Sequence, residues 1–213
     1  MLRQVEQWAA INSGSRNLAG LAMVADILVN EFNILPGEAE LIEAAAVTAV
    51  QADGSLADIA HGRHLLVSVR PDAPRRLLLT GHMDTVFGAD HPFQTLRYTN
   101  DFTINGPGVA DMKGGIAVML AALCAVEQAG PPEGFGYDVL INSDEEVGSL
   151  SSAALIARLA AGKTAALTYE PSALPDGTLA GARPGSGNFS MTVRGKSAHA
   201  GRNPEDGRNA LVA

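Results

Sequence analysis

Leu18, Leu21, Ala22, Ala25, Leu28, Val29 and Phe32 recur at three- and four-residue spacing, the apolar stripe of an amphipathic helix. A short helix precedes it, Ser13 and Ser15 between the two are candidate caps, and Pro36-Gly37 is the expected stop. From residue 38 to 70 the pattern loosens into alternation, LIEAAAVTAV and then HLLVSVR, which predicts strands with turns at Asp53-Gly54 and His61-Gly62. Three short continuous apolar runs follow: Leu77, Leu78 and Leu79 closed by Gly81, then YDVLIN at 137–142, then 163–169. Runs of that kind read as strands buried on both faces. Helical apolar patterns over 112–129, stopped by Gly130-Pro131-Pro132, and over 151–161 lie between them. Strands alternating with helices through short links predict an α/β fold, a mainly parallel sheet with helices on both faces.

Around 173–177 the texture changes. Residues 178–183 and 188–194 alternate like two antiparallel strands joined through Pro184-Gly185-Ser186-Gly187, and GRNALVA at the end reads as the start of a helix. The expected division is a domain over 1–176 and the beginning of a second, α+β domain over 177–213. About 35 residues are too few to close a core, so the sequence reads as the N-terminal fragment of a longer protein.

Composition narrows the function classes. With 46% hydrophobic and 18% charged residues the chain is an ordinary globular sequence. A net charge of −8 with no Lys/Arg cluster argues against nucleic acid and anionic membranes as partners. The one cysteine, Cys124, excludes an intrachain disulfide framework and a cysteine zinc site, and its apolar surroundings mark it as core filler. MLRQVEQWAA lacks the apolar core of a secretory signal, and no apolar run approaches the ~18 residues of a membrane span. A cytoplasmic location is the expectation.

The candidate chemistry gathers at the strand ends. His82 follows the Leu77 strand, and Asp84 two residues on points the same way if the segment is extended. A carboxylate there can hold one ring nitrogen and turn the other toward a metal. Asp111 comes 29 residues later, between Gly108 and Gly114-Gly115; Glu145 and Glu146 follow the next strand, and Glu170 the one after. In an open α/β sheet such residues meet outside the carboxyl ends of the strands. That many carboxylates in one place repel unless a cation neutralises them. Histidine with Asp/Glu and no cysteine suits zinc or a similar divalent ion. Of the neighbours Glu145 and Glu146, one can ligate while the other remains a general base for the attacking water. Each residue has a plainer reading as well. Asp111 could cap the following helix, the two glutamates could serve a helix dipole, Glu170-Pro171 could be a strand-end turn, and His199 a loop histidine. His61, His64 and His91 show no partner pattern and read as surface residues. NGPGVADMKGG fails the dinucleotide fingerprint, because Asp111 stands at the third glycine's place, and it lacks the phosphate-loop Gly-Lys-Ser/Thr.

The stretches GHMDTV, NGPGVADMKGG, SDEEVGS, YEP and GKSAHAG, in that order, resemble the dinuclear-zinc metallopeptidase family of aminoacylase, glutamate carboxypeptidase and succinyl-diaminopimelate desuccinylase. The resemblance implies two Zn2+ ions, with Co2+ or Mn2+ as substitutes. It makes His82, Asp111, Glu146 and Glu170 metal ligands, with Asp111 bridging the two ions and joined to Met112 by a cis peptide. Asp84 would orient His82, and Glu145 would be the general base. His199, in a lid and dimerisation domain, would reach the partner subunit's site in a homodimer. The family's last ligand is a histidine further along, absent from these 213 residues, so the piece alone is expected to bind metal weakly and to be inactive. The implied reaction is hydrolysis of an amide in an N-acyl amino acid or short peptide bearing a free carboxylate. The glutamate carboxypeptidase branch fits ARPGSGNFSMTVRGKSAHAGRNP most closely. Alternatives are a deacetylase or desuccinylase of the same family, or a non-catalytic binding and dimerisation module.

Overall fold

The computed structural model describes residues 1–212 except Arg183, Pro184, Ser186 and Asn188. Its elements in chain order are α1 (Leu2–Ala9), α2 (Leu18–Phe32), β1 (Glu38–Ile42), β2 (Val47–Val50), β3 (Leu56–Ile59), β4 (His64–Val69), β5 (Arg75–His82), β6 (Arg97–Asn100), β7 (Thr103–Asn105), α3 (Gly114–Ala129), β8 (Phe135–Asn142), α4 (Ala153–Ala160) and β9 (Ala165–Thr168). The chain divides into two compact units, one of Met1–Val47 with Ile59–Leu179, the other of Thr48–Asp58 with Ala180–Ala213.

In the first unit a five-stranded sheet runs in the order β1-β4-β8-β5-β9. β8, β5 and β9 are parallel, as the alternation with α3 and α4 demands, but β4 is antiparallel to both β1 and β8, so the sheet is mixed. A strand buried on both faces carries no mark of its direction, which is why the reversal of β4 does not show in HLLVSVR.

Alternation along the strands sorts side chains between two layers. Leu79 on β5 and Tyr137, Val139 and Ile141 on β8 face α1, α2 and α3, where Trp8, Leu28, Phe32, Ile116 and Met119 complete the main core. Leu78 and Leu140 face the other way, onto Leu155 of α4. Helices therefore cover both faces. Burying each such large apolar side chain contributes about 1.5–3 kcal/mol, and Cys124 packs at the margin of the larger layer. At the sheet end remote from His82, Arg70 grips Glu127 through both Nη atoms at 3.0 and 2.5 Å. On the α4 face, buried Asp138 is held by Arg76 at 2.5 Å and Lys163 at 2.8 Å.

Several expectations need correction. Asn17 caps α2 by accepting from the Gly20 N–H at 3.2 Å, and neither Ser13 nor Ser15 does. The helix stops at Phe32, ahead of Pro36-Gly37, and Val24 rather than Ala22 belongs to its buried stripe. LIEAAAVTAV breaks into β1 and β2, and β2 pairs with β3 in a separate two-stranded sheet. The long link after β5 contains the hairpin β6–β7. Val109–Ala129 taken together is long and apolar enough to cross a membrane, contrary to the expectation for any run here. Its backbone is non-helical at Asp111 and Met112, and Ile116, Met119, Leu120 and Leu123 are buried in the core, a pattern that core helices share.

In the second unit, residues 180–182 and 189–194 form no strands, nor do 178–179 before them; the remaining expected positions Arg183, Pro184, Ser186 and Asn188 lie outside the described residues. Leu179, Phe189 and Met191 are almost fully exposed, and a hairpin without a covering layer has little to hold it together. The expected terminal helix is likewise missing over 207–212, where Arg208 bridges to Lys196 in an antiparallel pair.

Candidate metal centre

β5, β8 and β9 end side by side because β5 pairs with both neighbours in parallel: His82 stands opposite Asn142, and Thr80 opposite Thr168. The loops leaving these ends bring His82, Asp84, Asp111, Glu145, Glu146 and Glu170 to one place. His82 Nε2 lies 2.9 Å from Asp111 Oδ1, 3.7 Å from Glu170 Oε1 and 4.0 Å from Glu145 Oε2. His82, Asp111 and Glu146 each offer a ligand atom within 4.8 Å of the others. His82 is buried and Asp111 exposed, so the cluster opens to solvent on one side.

Asp84 is the fully buried hub behind these groups. His82 Nδ1 lies 3.1 Å from the Asp84 carbonyl and 3.3 Å from its Oδ1, which orients the ring. The same carboxylate accepts the backbone N–H of Glu145 and of Glu146, both at 3.2 Å, so it also fixes the acidic turn. A second buried carboxylate, Asp144, anchors that turn from beneath by accepting from Ser151 Oγ at 2.8 Å and Ser152 Oγ at 2.7 Å. Burial works against its charge, but those hydrogen bonds prevail and hold its carboxyl below the usual range.

Asp111 caps no helix. α3 begins at Gly114 with Lys113 in the cap position, and the peptide between Asp111 and Met112 is cis. Gly115 lets α3 approach the end of β9, since a Cβ there would meet the Tyr169 carbonyl oxygen at 2.0 Å. That approach sets the Asp111 loop against Glu170.

The protonation pattern follows from this crowding. Burial opposes a charge on His82, yet hydrogen bonds to Asp84 and Glu170, with their charges, raise it to about 11. Burial, reinforced by Asp111, Asp84 and Glu145 against the pull of His82, lifts Glu146 to about 7. Burial raises Glu145 as well, opposed by His82. In the metal-free protein a proton on Nε2 thus faces the carboxylates that a cation would otherwise neutralise. Imidazole with several carboxylates around one point fits a borderline divalent ion.

Three residues escaped the reading of the sequence. His64 is buried in β4, not on the surface; its Nδ1 accepts the Ser143 N–H at 3.3 Å, and burial lowers its pKa although Asp144 opposes this. With Ser151 and Asp144 it completes a Ser, His and Asp trio, but Asp144 binds the serine rather than the imidazole and Ser151 is buried. That order cannot activate a serine nucleophile. Lys113 is buried too, donating to the Trp8 and Ile11 carbonyls at 3.0 and 3.1 Å, and burial lowers it to about 8. Ser15 donates to Asp84 Oδ2 at 2.7 Å. None of the three has a local spacing to betray it. His199 belongs to the second unit, where it is exposed and its Nδ1 accepts the Gly201 N–H at 3.1 Å.

Residues 78–204 match Peptidase family M20/M25/M40. The chain belongs to this family. Every residue of the cluster lies inside the matched span. The chain is 32% identical over its whole length to Carboxypeptidase G2 of a Pseudomonas species, of which it covers 48%. It is 30% identical over 141 residues to a probable carboxypeptidase of Arthroderma otae, covering 30% of that protein. It therefore spans about half or less of the curated relatives it matches. Among solved structures its fold resembles human carnosine dipeptidase 1, with a TM-score of 0.63 at 17% identity over 78% of this chain and 37% of the other. An M20 metallo-carboxypeptidase from Sulfolobus solfataricus gives a TM-score of 0.62 at 18% identity, over 83% of this chain and 38% of the other. Membership in a metallopeptidase family agrees with the donor set at the strand ends.

Proposed function

We propose that the protein is a metal-dependent amide hydrolase, glutamate carboxypeptidase-like, acting on N-acyl amino acids or short peptides with a free carboxylate. The observation that carries this reading is the convergence of His82 with Asp111, Glu145, Glu146 and Glu170 at one sheet edge. The 32% identity to Carboxypeptidase G2 supports the carboxypeptidase branch.

His82 and Glu170 would hold one divalent cation, Glu146 a second, and Asp111 both. When bound, two zinc ions supply Lewis-acid polarisation of the scissile carbonyl and of the attacking water. Asp84 keeps the His82 ring turned outward and the acidic turn in place. Glu145 takes the proton of the attacking water as the C–O bond forms, then passes it to the leaving nitrogen as the C–N bond breaks. Its raised pKa suits a group that must both accept and return a proton. The second unit, Thr48–Asp58 with Ala180–Ala213, is proposed to belong to a lid and dimerisation domain. From it His199 would steady the substrate or its oxyanion in the partner subunit's site.

The test is a substrate panel with the zinc-loaded protein in its full-length form: N-acyl glutamates, dipeptides ending in glutamate, and N-acetyl and N-succinyl amines without a carboxylate beside the amide. Release of free glutamate is expected. Cleavage confined to the N-acetyl or N-succinyl amines would replace the carboxypeptidase reading with a deacetylase or desuccinylase one.

A further inference from the structure

The connector between α1 and α2 touches two of the segments that carry the metal-centre residues, the one after His82 and the one after Asp111, from positions far away in sequence. On one side it forms a short parallel bridge with the segment after His82: Thr85 N–H donates to the Ser13 carbonyl at 3.0 Å, and Ser15 N–H to the Thr85 carbonyl at 3.2 Å. Gly14 sits at that bridge, where a Cβ would meet the Phe87 carbonyl oxygen at 2.4 Å. Asn12 extends the grip, its Nδ2 donating to the Phe87 carbonyl at 3.0 Å and to Gln94 Oε1 at 2.8 Å. On the other side the Lys113 ammonium, two residues past Asp111, is clasped by the Trp8 and Ile11 carbonyls at the end of α1. A cation in that place also answers the negative end of the helix dipole.

The contact with a direct line to the chemistry is Ser15. Its hydroxyl donates to Asp84 Oδ2 at 2.7 Å, and both side chains are buried. Among the described residues, Asp84 otherwise receives the Glu145 and Glu146 backbone N–H groups and the His82 ring. A buried carboxylate with one donor removed can turn toward those that remain. His82 and the Glu145-Glu146 turn would then shift together, because both hang on it.

We propose that the α1–α2 connector is a positioning strap for the metal centre, with the Ser15 hydroxyl as the positioning group that fixes Asp84. The strap rests on the metal-site reading above. It adds residues 8–15, which neither the motif pattern nor the matched span 78–204 includes, to the machinery of the site.

Ser15→Ala and Ser15→Thr test it. Both variants and the wild type, each as the full-length protein, are titrated with Co2+, following the visible ligand-field absorption, and the metal-free forms are unfolded in urea as a control. Loss of an outer partner of a metal ligand weakens binding about 10–100-fold, and Ser15, one bond further out behind Asp84, is expected to cost about threefold to tenfold. That loss, with an altered absorption band, is expected for Ser15→Ala, while Ser15→Thr, which keeps the hydroxyl, stays close to the wild type. Co2+ affinity of Ser15→Ala within about twofold of the wild type overturns the strap alone, since a loss of about threefold or more is expected at one bond behind the outer partner. An equal loss in both variants also overturns it, because packing and not the hydroxyl would then be responsible. A wild type that binds no Co2+ overturns the metal reading, and the strap with it.

Discussion

Glu145→Gln is expected to lower turnover by about 10²–10⁴-fold, the usual contribution of a general base, with metal binding retained. Glutamine preserves the shape of the side chain and cannot take a proton. The bond that fixes residue 145 to Asp84 comes from its backbone N–H and survives the substitution. The Glu145 side chain is 48% exposed, so the fold does not depend on it. His82, Asp111, Glu146 and Glu170 are untouched and keep the donor set. Steady-state kinetics on the full-length protein, paired with a metal titration of the same variant, check both halves. Retained turnover would remove Glu145 from the reaction. A parallel loss of metal would make it a ligand instead.

The second large effect is a proton release. At pH 7 the metal-free protein carries a proton on His82, raised to about 11, and on roughly half of Glu146, raised to about 7. A metal takes only the deprotonated forms, so binding near neutrality should expel about one to two protons. The sign is fixed: protons compete with metal, and affinity rises with pH. Between pH 6 and 8 each expelled proton contributes about a tenfold gain in apparent affinity per pH unit. The slope should flatten above pH 7 as Glu146 empties and His82 alone remains. Zinc titration calorimetry in buffers of different ionisation enthalpy gives the proton count directly. A count of zero would mean that His82 is not displaced from its proton, and so is not a ligand.

Much of this site was legible because its members sit at strand ends. His82, Glu145, Glu146 and Glu170 each follow a short apolar run, and parallel neighbours in one sheet must end at the same edge. Asp111 was readable from the glycines around it, which permit the turn before α3. Residues whose role depends on distant partners were not. Ser15 meets Asp84 across 69 residues, and Lys113 meets Trp8 across 105, so no local period could mark either. Ser15 instead looked like a helix cap, a role its chemistry suits equally. His64 looked like a surface residue because its partners, Ser143 and Ser151, lie 79 and 87 residues further along the chain. The fold shows the same division. Apolar runs gave the positions of β5, β8 and β9, whereas the direction of β4 is set by pairing alone. The alternation over 178–194 marked residues capable of forming strands, but among the described residues Phe189 and Met191 are almost fully exposed and no layer buries them.

An anomalous-scattering map at the zinc edge, from crystals of the zinc-treated full-length protein, tests the central claim most directly. Two peaks flanking Asp111, one beside His82 and Glu170 and the other beside Glu146, are the predicted result. An ordered His82, Asp111, Glu146 and Glu170 cluster without a peak, or a zinc ion bound away from His82, would contradict it.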